Sequence, residues 1–319
     1  MADLPNRVDI HEEGPREGFQ IEPGPIPTAD KIALIEALAE TGLRHIQICS
    51  FVNPRLVPGW ADAEAVAGGF RPKPGVEYTA LWFNENGLNR ALGFADRLTL
   101  GGSISLAASN AFSIKNLNRP HAENLAAMRK QTAVHQKHGI KVTRVGIMAA
   151  FGCNYQGDIS PELVVQTVAD GLAIAAEAGE TITDISLADT MGWATPIRIE
   201  RGVSAVRERW PDLRIGLHLH DTRGLAVANA HAGLRLGVTK FDSTAGGLGG
   251  CPFAGQKGAA GNIATEELAL LCEEMGIDTG IDLDALIEVG RMAERIVGHA
   301  LPSELLRAGS LDAFRRKAA

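Results

Sequence analysis

The chain has 319 residues, of which 45% are hydrophobic and 22% are charged. These values are typical of a globular protein, so they exclude a fibrous or disordered chain, and the length suits one large α/β domain with a short extension. The formal net charge of −7 provides no overall attraction to nucleic acid or to an anionic membrane, so we expect neither as a partner.

The N-terminus and the cysteines bear on the cellular compartment. The first residues, MADLPNRVDIHEEGPREG, carry charges where a signal peptide has an apolar stretch, and they lack the Arg- and Ser-rich character of a transit peptide. The four cysteines form no C-x-x-C pair, which indicates cytosolic thiols rather than disulfides or a zinc ribbon. We therefore expect a cytoplasmic protein.

Short β-type runs alternate with amphipathic helical segments along the chain, which is the pattern of βα units around a parallel sheet. The predicted strands are Val8–Glu12, His45–Phe51, Glu77–Trp82, Arg97–Gly101, Lys141–Ala149, Asp184–Asp189, Arg214–Asp221 and Lys240–Ala245.

The helices between these strands have recognisable ends. Thr28 is the predicted N-cap of one helix that Gly42 closes, and another helix begins at Ser160 and runs to Gly179. Two more helical segments follow the last strand, at about Ala264–Met275 and Leu283–His299.

Eight strands separated by helices predict a (β/α)8 TIM barrel, although a doubly wound open sheet is left open by periodicity alone. No linker divides the sequence. We expect a single domain over residues 1–319, with the C-terminal helices, about 264–319, packed on the barrel.

The motif GPREGFQIE, residues 14–22, places Arg16 and Glu17 in a Gly-Pro turn after the first strand. A surface Arg-Glu pair is the simpler interpretation. In a barrel, however, this turn opens onto the same face as the ends of the other strands. Glu17 is therefore a candidate oxygen ligand for a metal ion.

SLADTMGWATP, residues 186–196, follows the sixth predicted strand. Strand ends often curl, so the sequence leaves open which of Asp189 and Thr190 faces the barrel interior. Capping of the next helix is an equal alternative for Asp189.

IGLHLHD, residues 215–221, is the strongest local motif. Strand alternation points the isoleucine and leucines toward the helices, and His218 and His220 into the barrel. A structural histidine is the alternative for this motif on its own, but two adjacent imidazoles in a core are costly unless something binds them. With Glu17 they predict a mixed nitrogen and oxygen site suited to Mg²⁺ or Mn²⁺.

The segment 244–268 has seven glycines before Asn262, and Cys251 lies among them. A flexible surface loop is the simpler interpretation. The functional interpretation is a lid that excludes water from a barrel mouth and carries one thiol, with Cys251 as a general acid or base.

Together and in this order, these motifs resemble the hydroxymethylglutaryl-CoA lyase family of metal-dependent barrel enzymes, which is related to the Claisen-type synthases. The resemblance covers nearly the whole chain through GPREGFQ, SFVNPRLVPGWAD, AFGCNYQG, SLADTMG, HLHDTRGLAVAN and GLGGCPFA followed by GAAGN. It implies a carbon–carbon lyase that cleaves a 3-hydroxyacyl-CoA to acetyl-CoA and a keto acid.

The resemblance also implies roles for individual residues. The divalent cation, Mg²⁺ or Mn²⁺, would be held by Glu17, His218, His220 and Asn262. Arg16 would stabilise the enolate formed on cleavage, and Cys251 would protonate it. The base is not assigned: His218 is one candidate, and Asp189 is a weaker one.

Two residues depart from the family pattern. Glu17 stands where the family has aspartate in GPRDG, and Gln47 stands where it has glutamate in an IETTSF-like segment. Strand alternation puts Gln47 on one face with His45 and Cys49. If that face is the barrel interior, Gln47, together with Thr190, would set the substrate specificity.

We therefore expect a substrate related to hydroxymethylglutaryl-CoA rather than that compound itself, for example citramalyl-CoA or a bulkier 3-hydroxy-3-alkylglutaryl-CoA. Compensated drift with an unchanged substrate is the alternative. A condensing enzyme of the isopropylmalate or homocitrate synthase type is the other enzyme considered, and a noncatalytic binding barrel is the alternative outside the enzymes. The expected partner is a small-molecule acyl-CoA, and a homo-oligomer is compatible with the sequence.

Overall fold

The structure, a computed structural model, describes residues 4–249, 261–312 and 314–315. The chain forms two compact units. The mid-chain unit is Leu100–Phe241 with residues 4–5, and the terminal unit contains the described residues 6–99, 242–249 and 261–315, without 313. A single domain over residues 1–319 stays a prediction.

In chain order, the strands are β1 (Asp9–Glu12), β2 (His45–Ser50), β3 (Glu77–Leu81), β4 (Gly102–Ala107), β5 (Val142–Met148), β6 (Asp184–Ala188), β7 (Arg214–His218) and β8 (Lys240–Ser243). The α-helices of the described residues are α1 (Thr28–Glu40), α2 (Ala63–Gly69), α3 (Glu85–Leu92), α4 (Asn110–Leu117), α5 (His121–Lys137), α6 (Pro161–Glu177), α7 (Pro196–Arg209), α8 (Ala226–Arg235), α9 (Thr265–Glu274), α10 (Leu283–Val297) and α11 (Leu305–Ala308). None of these helices is long and apolar enough to cross a membrane.

Neighbouring strands within each unit are parallel. In the terminal unit the order is β3-β2-β1, and in the mid-chain unit it is β7-β6-β5-β4. The four residues of β8 are divided between the units: Lys240 and Phe241 belong to the mid-chain unit, and Asp242 and Ser243 belong to the terminal unit. The predicted alternation of parallel strands and helices is confirmed.

The predicted position of the fourth strand is wrong. Arg97–Gly101 was expected, but β4 begins at Gly102. The backbone N–H groups of Arg97 and Leu98 donate to the carbonyl of Phe94, so the chain is still closing a turn where its apolar residues suggested a strand. The ladder with β5 starts only at Gly102, whose N–H donates to the Lys141 carbonyl at 2.9 Å.

Of the two predicted helix N-caps, one is confirmed by the structure and the other is wrong. The Ser160 side chain accepts from the Leu163 N–H and caps α6 as predicted. Thr28 is not the cap of α1, because Pro27 occupies that position and the Thr28 hydroxyl instead donates to Asp62 at 2.6 Å. A side-chain contact with a residue far along the chain thus replaced the local cap.

Gly42 closes α1 in a left-handed conformation, with φ +92°, and a Cβ there would clash with the backbone carbonyl of Gly280. We expect Gly42→Ala to lower the free energy of unfolding by about 2–6 kcal/mol, since left-handed strain and overpacking each cost roughly 1–3 kcal/mol. Gly24→Ala is the matched control, because Gly24 has φ +108° but no atom within 4 Å of the added Cβ. Urea unfolding measures both variants, and equal losses would contradict a role for the close approach.

Candidate active site

The two imidazoles of the strongest motif lie together in the mid-chain unit. β7 ends at His218, and His220 follows two residues later. Leu217 and Leu219 between and beside them are fully buried. The His218 and His220 rings meet edge to face, with their centroids 5.1 Å apart. Both imidazoles are thus placed at the carboxyl end of a parallel strand.

The hydrogen bonds of His220 select its tautomer. Its Nδ1 lies 2.8 Å from the carbonyl oxygen of Asp189 and 3.1 Å from that of Thr190. Both oxygens can only accept, so Nδ1 bears the proton and donates to them. The lone pair of the neutral ring is then on Nε2, the arrangement in which a histidine binds a metal ion.

Asp189 is a buried carboxyl group at the end of β6. Its Oδ1 accepts from the backbone N–H groups of Trp193 at 2.7 Å and Ala194 at 3.0 Å, and its Oδ2 has no hydrogen-bond partner among the described residues. Burial raises the pKa of Asp189, against the opposing effects of His220, the two backbone hydrogen bonds and His218. The group holds the turn that follows β6.

Asp189 does not cap the helix that follows it, and Thr190 bonds to the backbone after β5. Thr195, not Asp189, caps α7, since the Thr195 side chain accepts from Arg198 N–H. The Thr190 hydroxyl accepts from the backbone N–H of Ala149 at 2.8 Å. Ala149 has φ +52°, a conformation that is uncommon for alanine. Thr190 therefore supports a strained backbone position after β5.

Arg16 and Glu17 lie in the terminal unit, in a short π-helical turn, Gly14–Gly18, after β1. The carbonyl of Glu13 accepts the backbone N–H groups of Arg16 at 3.1 Å and Glu17 at 2.7 Å. The N–H of Glu13 donates to the carbonyl of Ser243 at 2.8 Å. The backbone of Glu13 thus attaches the turn to the last residue of β8.

The Arg16 guanidinium is nearly buried among three acceptors. Nε donates to Gln47 Oε1, Nη2 donates to Glu13 Oε2, and Nη1 lies 3.1 Å from Glu17 Oε2. Burial opposes the guanidinium charge, but Glu13, Glu17 and Asp242 outweigh this effect and raise the pKa of Arg16. Arg16 is therefore a permanent cation with a fixed orientation.

Asn262 lies beside Glu17 in the same unit. Its amide nitrogen donates to Glu17 Oε1 at 3.0 Å and to the carbonyl of Leu248 at 3.2 Å. These bonds orient the side chain, and its buried Oδ1 has no hydrogen-bond partner among the described residues. Asn262 and Glu17 thereby offer two neighbouring oxygen donors, the ligand type that hard cations prefer.

Strand alternation does not extend past Gln47. The register of β2 against β3 shifts between Gln47 and Cys49. The strict alternation that was expected to place these two residues on one face is therefore interrupted between them. Cys49 is fully buried, and burial raises the pKa of its thiol. The proposed acid, Cys251, lies outside the described residues.

Glu12 is a buried acid that the sequence analysis did not single out. One carboxylate oxygen accepts from the N–H groups of Gly14 at 2.8 Å and Ala245 at 2.9 Å, and the other accepts from the Thr265 hydroxyl at 2.7 Å. Burial raises its pKa from the ordinary 4.5 to about 7, against these hydrogen bonds. An acid at the carboxyl end of a predicted strand was the available signal, and Glu13 directly follows it.

Known proteins resemble this chain over nearly its full length. A family model described as HMGL-like matches residues 7–293. The hydroxymethylglutaryl-CoA lyase of Bacillus subtilis is 39% identical over 307 residues, which cover 95% of this chain and 97% of that protein. A 3-hydroxy-3-isohexenylglutaryl-CoA/hydroxymethylglutaryl-CoA lyase of Pseudomonas aeruginosa is 37% identical over 306 residues, which cover 96% and 98%.

A solved structure extends the similarity to three dimensions. An HMG-CoA lyase from Acinetobacter baumannii, in complex with coenzyme A and 3-methylmalate, matches with a TM-score of 0.84 and 37% identity over 98% of both chains. The predicted TIM-barrel fold class is confirmed by this likeness.

The raised pKa of Glu12 predicts a pH dependence of stability. Between about pH 4.5 and 7 the folded chain retains a proton at Glu12 that the unfolded chain has released, so stability falls as the pH rises through this window. Relative to the wild type, Glu12→Gln should gain roughly 2–4 kcal/mol of unfolding free energy from about pH 4 to about pH 8.

Denaturant unfolding across this pH range measures the difference in unfolding free energy between Glu12→Gln and the wild type. The test is how this difference changes with pH, not its absolute size. Glu64→Gln is a suitable comparison, because the hydrogen bond to Arg90 lowers the pKa of Glu64 and should give the opposite slope. A pH-independent difference for Glu12→Gln would show that Glu12 is not protonated in this window.

Proposed function

The chain belongs to the HMGL-like family, and from this premise we propose that it is a metal-dependent carbon–carbon lyase that cleaves a 3-hydroxyacyl-CoA of the hydroxymethylglutaryl-CoA type to acetyl-CoA and a keto acid. The observation that carries the proposal is the near-full-length similarity to curated lyases. The fixed guanidinium after β1 gives it a chemical basis.

A divalent cation is part of this proposal, and its proposed ligands are those that the family resemblance implies: Glu17, His218, His220 and Asn262. Two imidazoles and two oxygen donors suit Mg²⁺ or Mn²⁺ and leave positions for water and substrate. The tautomer of His220 and the buried Oδ1 of Asn262 both fit this role. When bound, the cation supplies Lewis acidity that makes the substrate hydroxyl easier to deprotonate.

The cleavage itself needs a base, a stabilised enolate and an acid. A base takes the proton from the C3 hydroxyl, the C2–C3 bond breaks as the C3 carbonyl forms, and the electron pair passes into a thioester enolate. Arg16 stabilises the negative oxygen of this enolate, since its charge is permanent and its orientation is fixed. Cys251 protonates the enolate carbon, and acetyl-CoA is released. The candidates for the base that takes the C3 hydroxyl proton are His218 and Asp189.

The acyl group is proposed to be related to hydroxymethylglutaryl-CoA without being that compound. Gln47 lies against Arg16, and an amide can donate a hydrogen bond where a carboxylate only accepts. Glu17 is also one methylene longer than the aspartate of the family motif. Thr190 is the third specificity candidate, through the backbone that it supports.

The coenzyme A thioester is the proposed partner, and the proposed location is the cytoplasm. Cys49, Cys153 and Cys272 are buried free thiols, which suits a reducing compartment.

A panel of 3-hydroxyacyl-CoA thioesters, assayed for acetyl-CoA release, tests the proposed function. We expect cleavage of at least one 3-hydroxy-3-alkylglutaryl-CoA or citramalyl-CoA, loss of turnover after chelation, and recovery with Mn²⁺. Turnover by metal-free protein would contradict the metal role, and cleavage of no thioester would contradict the lyase. A kcat/KM for hydroxymethylglutaryl-CoA above about 10⁴ M⁻¹ s⁻¹ would instead identify that compound as the substrate.

Replacing the proposed acid should separate catalysis from folding. We expect Cys251→Ser to bind Mn²⁺ normally but to lose about two to four orders of magnitude in kcat, since a serine hydroxyl is too weak an acid at neutral pH. Cys272→Ala is the control and should keep its turnover, because burial raises the pKa of that thiol to about 12. Near-wild-type kcat in Cys251→Ser would remove the thiol from the mechanism.

A further inference from the structure

The charge that holds Arg16 comes from a residue outside the proposed catalytic set. We propose that Glu13 is the positioning residue of Arg16: its carboxylate balances the guanidinium, while the neutral Gln47 only orients it. This inference rests on the proposed function, in which Arg16 faces the enolate.

The three partners of Arg16 divide its nitrogens between them. Gln47 takes Nε, Glu13 takes Nη2, and Glu17 lies 3.1 Å from Nη1. Two of these partners are charged. Glu17 is a proposed metal ligand, and its second oxygen accepts from Asn262 at 3.0 Å. Glu13 is therefore the contacting carboxylate that can neutralise Arg16 without drawing on the proposed cation site.

Burial makes this neutralisation important. The Arg16 side chain is 11% exposed and that of Glu13 is 8% exposed. Screening by water is weak at such a site, and an ion pair that has lost one member leaves an uncompensated charge that is far more costly than at the surface. The contact is therefore unlike an ordinary exposed pair between neighbours on a turn.

Loss of the Glu13 charge would act on Glu17 as well. The guanidinium would then share its charge mainly with Glu17, and this would draw the Glu17 carboxylate toward Nη1. The unbalanced positive charge would also repel a divalent cation nearby. Both effects weaken cation binding, so Glu13 is expected to influence metal affinity without being a ligand.

The position of Gln47 provides a direct test of charge. Glutamine and glutamate have the same shape, and Gln47 Oε1 already contacts Nε of the same guanidinium. A carboxylate at position 47 would therefore meet Arg16 at Nε, on the guanidinium edge that Nε shares with Nη2. Glu13→Gln combined with Gln47→Glu moves the negative charge from Nη2 to Nε of the same guanidinium while keeping the number of side-chain carboxylates constant.

The experiment compares wild type, Glu13→Gln, Gln47→Glu and the double variant. Titration calorimetry of metal-free protein gives the Mn²⁺ affinity, and steady-state kinetics gives kcat and KM on the cleaved thioester. We expect Glu13→Gln to lose roughly 10- to 100-fold in both Mn²⁺ affinity and kcat, with a smaller change in KM. The double variant should recover at least about tenfold of each loss.

Asp62→Asn is the matched control for a purely structural effect. Asp62 pairs at 2.7 Å with Lys31, which is 2% exposed and belongs to the same unit. This variant should lower the Tm yet leave Mn²⁺ affinity and kcat unchanged.

Wild-type Mn²⁺ affinity and kcat in Glu13→Gln would overturn the proposal, and so would a double variant no better than Glu13→Gln. If Glu13→Gln does not fold, the double variant decides: near-wild-type Mn²⁺ affinity supports the proposal, and failure to fold or to bind overturns it. If the wild-type protein binds Mn²⁺ but cleaves no thioester, the proposed function is refuted but the role of Glu13 is not. The Mn²⁺ affinities of the four proteins still test whether the negative charge can be moved from position 13 to position 47.

Discussion

A guanidinium that is nearly excluded from water must have its charge balanced by the protein, and the terminal unit is arranged around this requirement. Arg16 receives two carboxylates and an amide on its three nitrogens. The same Glu13 that provides one carboxylate also fixes the turn through its backbone, which bonds to Arg16, Glu17 and Ser243. Glu13 therefore contributes to both the charge balance and the backbone geometry of this turn.

This arrangement gives Glu17 two tasks that compete. One of its oxygens faces Arg16 and the other accepts from Asn262. In the proposed metal site the Glu17 carboxylate would also bind a cation and divide its electron density among these partners, so the extra carboxylate of Glu13 relieves part of the demand. In the mid-chain unit, backbone carbonyls fix the tautomer of His220 through its Nδ1. The two units orient their functional groups by different means.

Periodicity predicted the strands and most helix ends because these depend on local patterns of apolar and turn residues. It placed β4 too early, because the apolar Leu98 still belongs to a turn on Phe94. It also carried alternation through β2 to Cys49, where the register shifts. The motifs singled out Arg16, Glu17, His218 and Asn262. Glu12 was missed because its partners Ala245 and Thr265 lie far along the chain, and Glu13 was missed because spacing does not reveal that its pair with Arg16 is buried.

The division of the chain has a consequence for its synthesis on the ribosome. The mid-chain unit is essentially one continuous segment, Leu100–Phe241, whereas the terminal unit draws on both ends of the polypeptide. The N–H of Val8, just before β1, donates to the carbonyl of Asp278, and Asp282 bonds back to Thr41 at the end of α1. The first strand can pair with β2 early, but these bonds and the one from Glu13 to Ser243 form only after most of the chain has been translated, whereas the two histidines lie within one continuous segment.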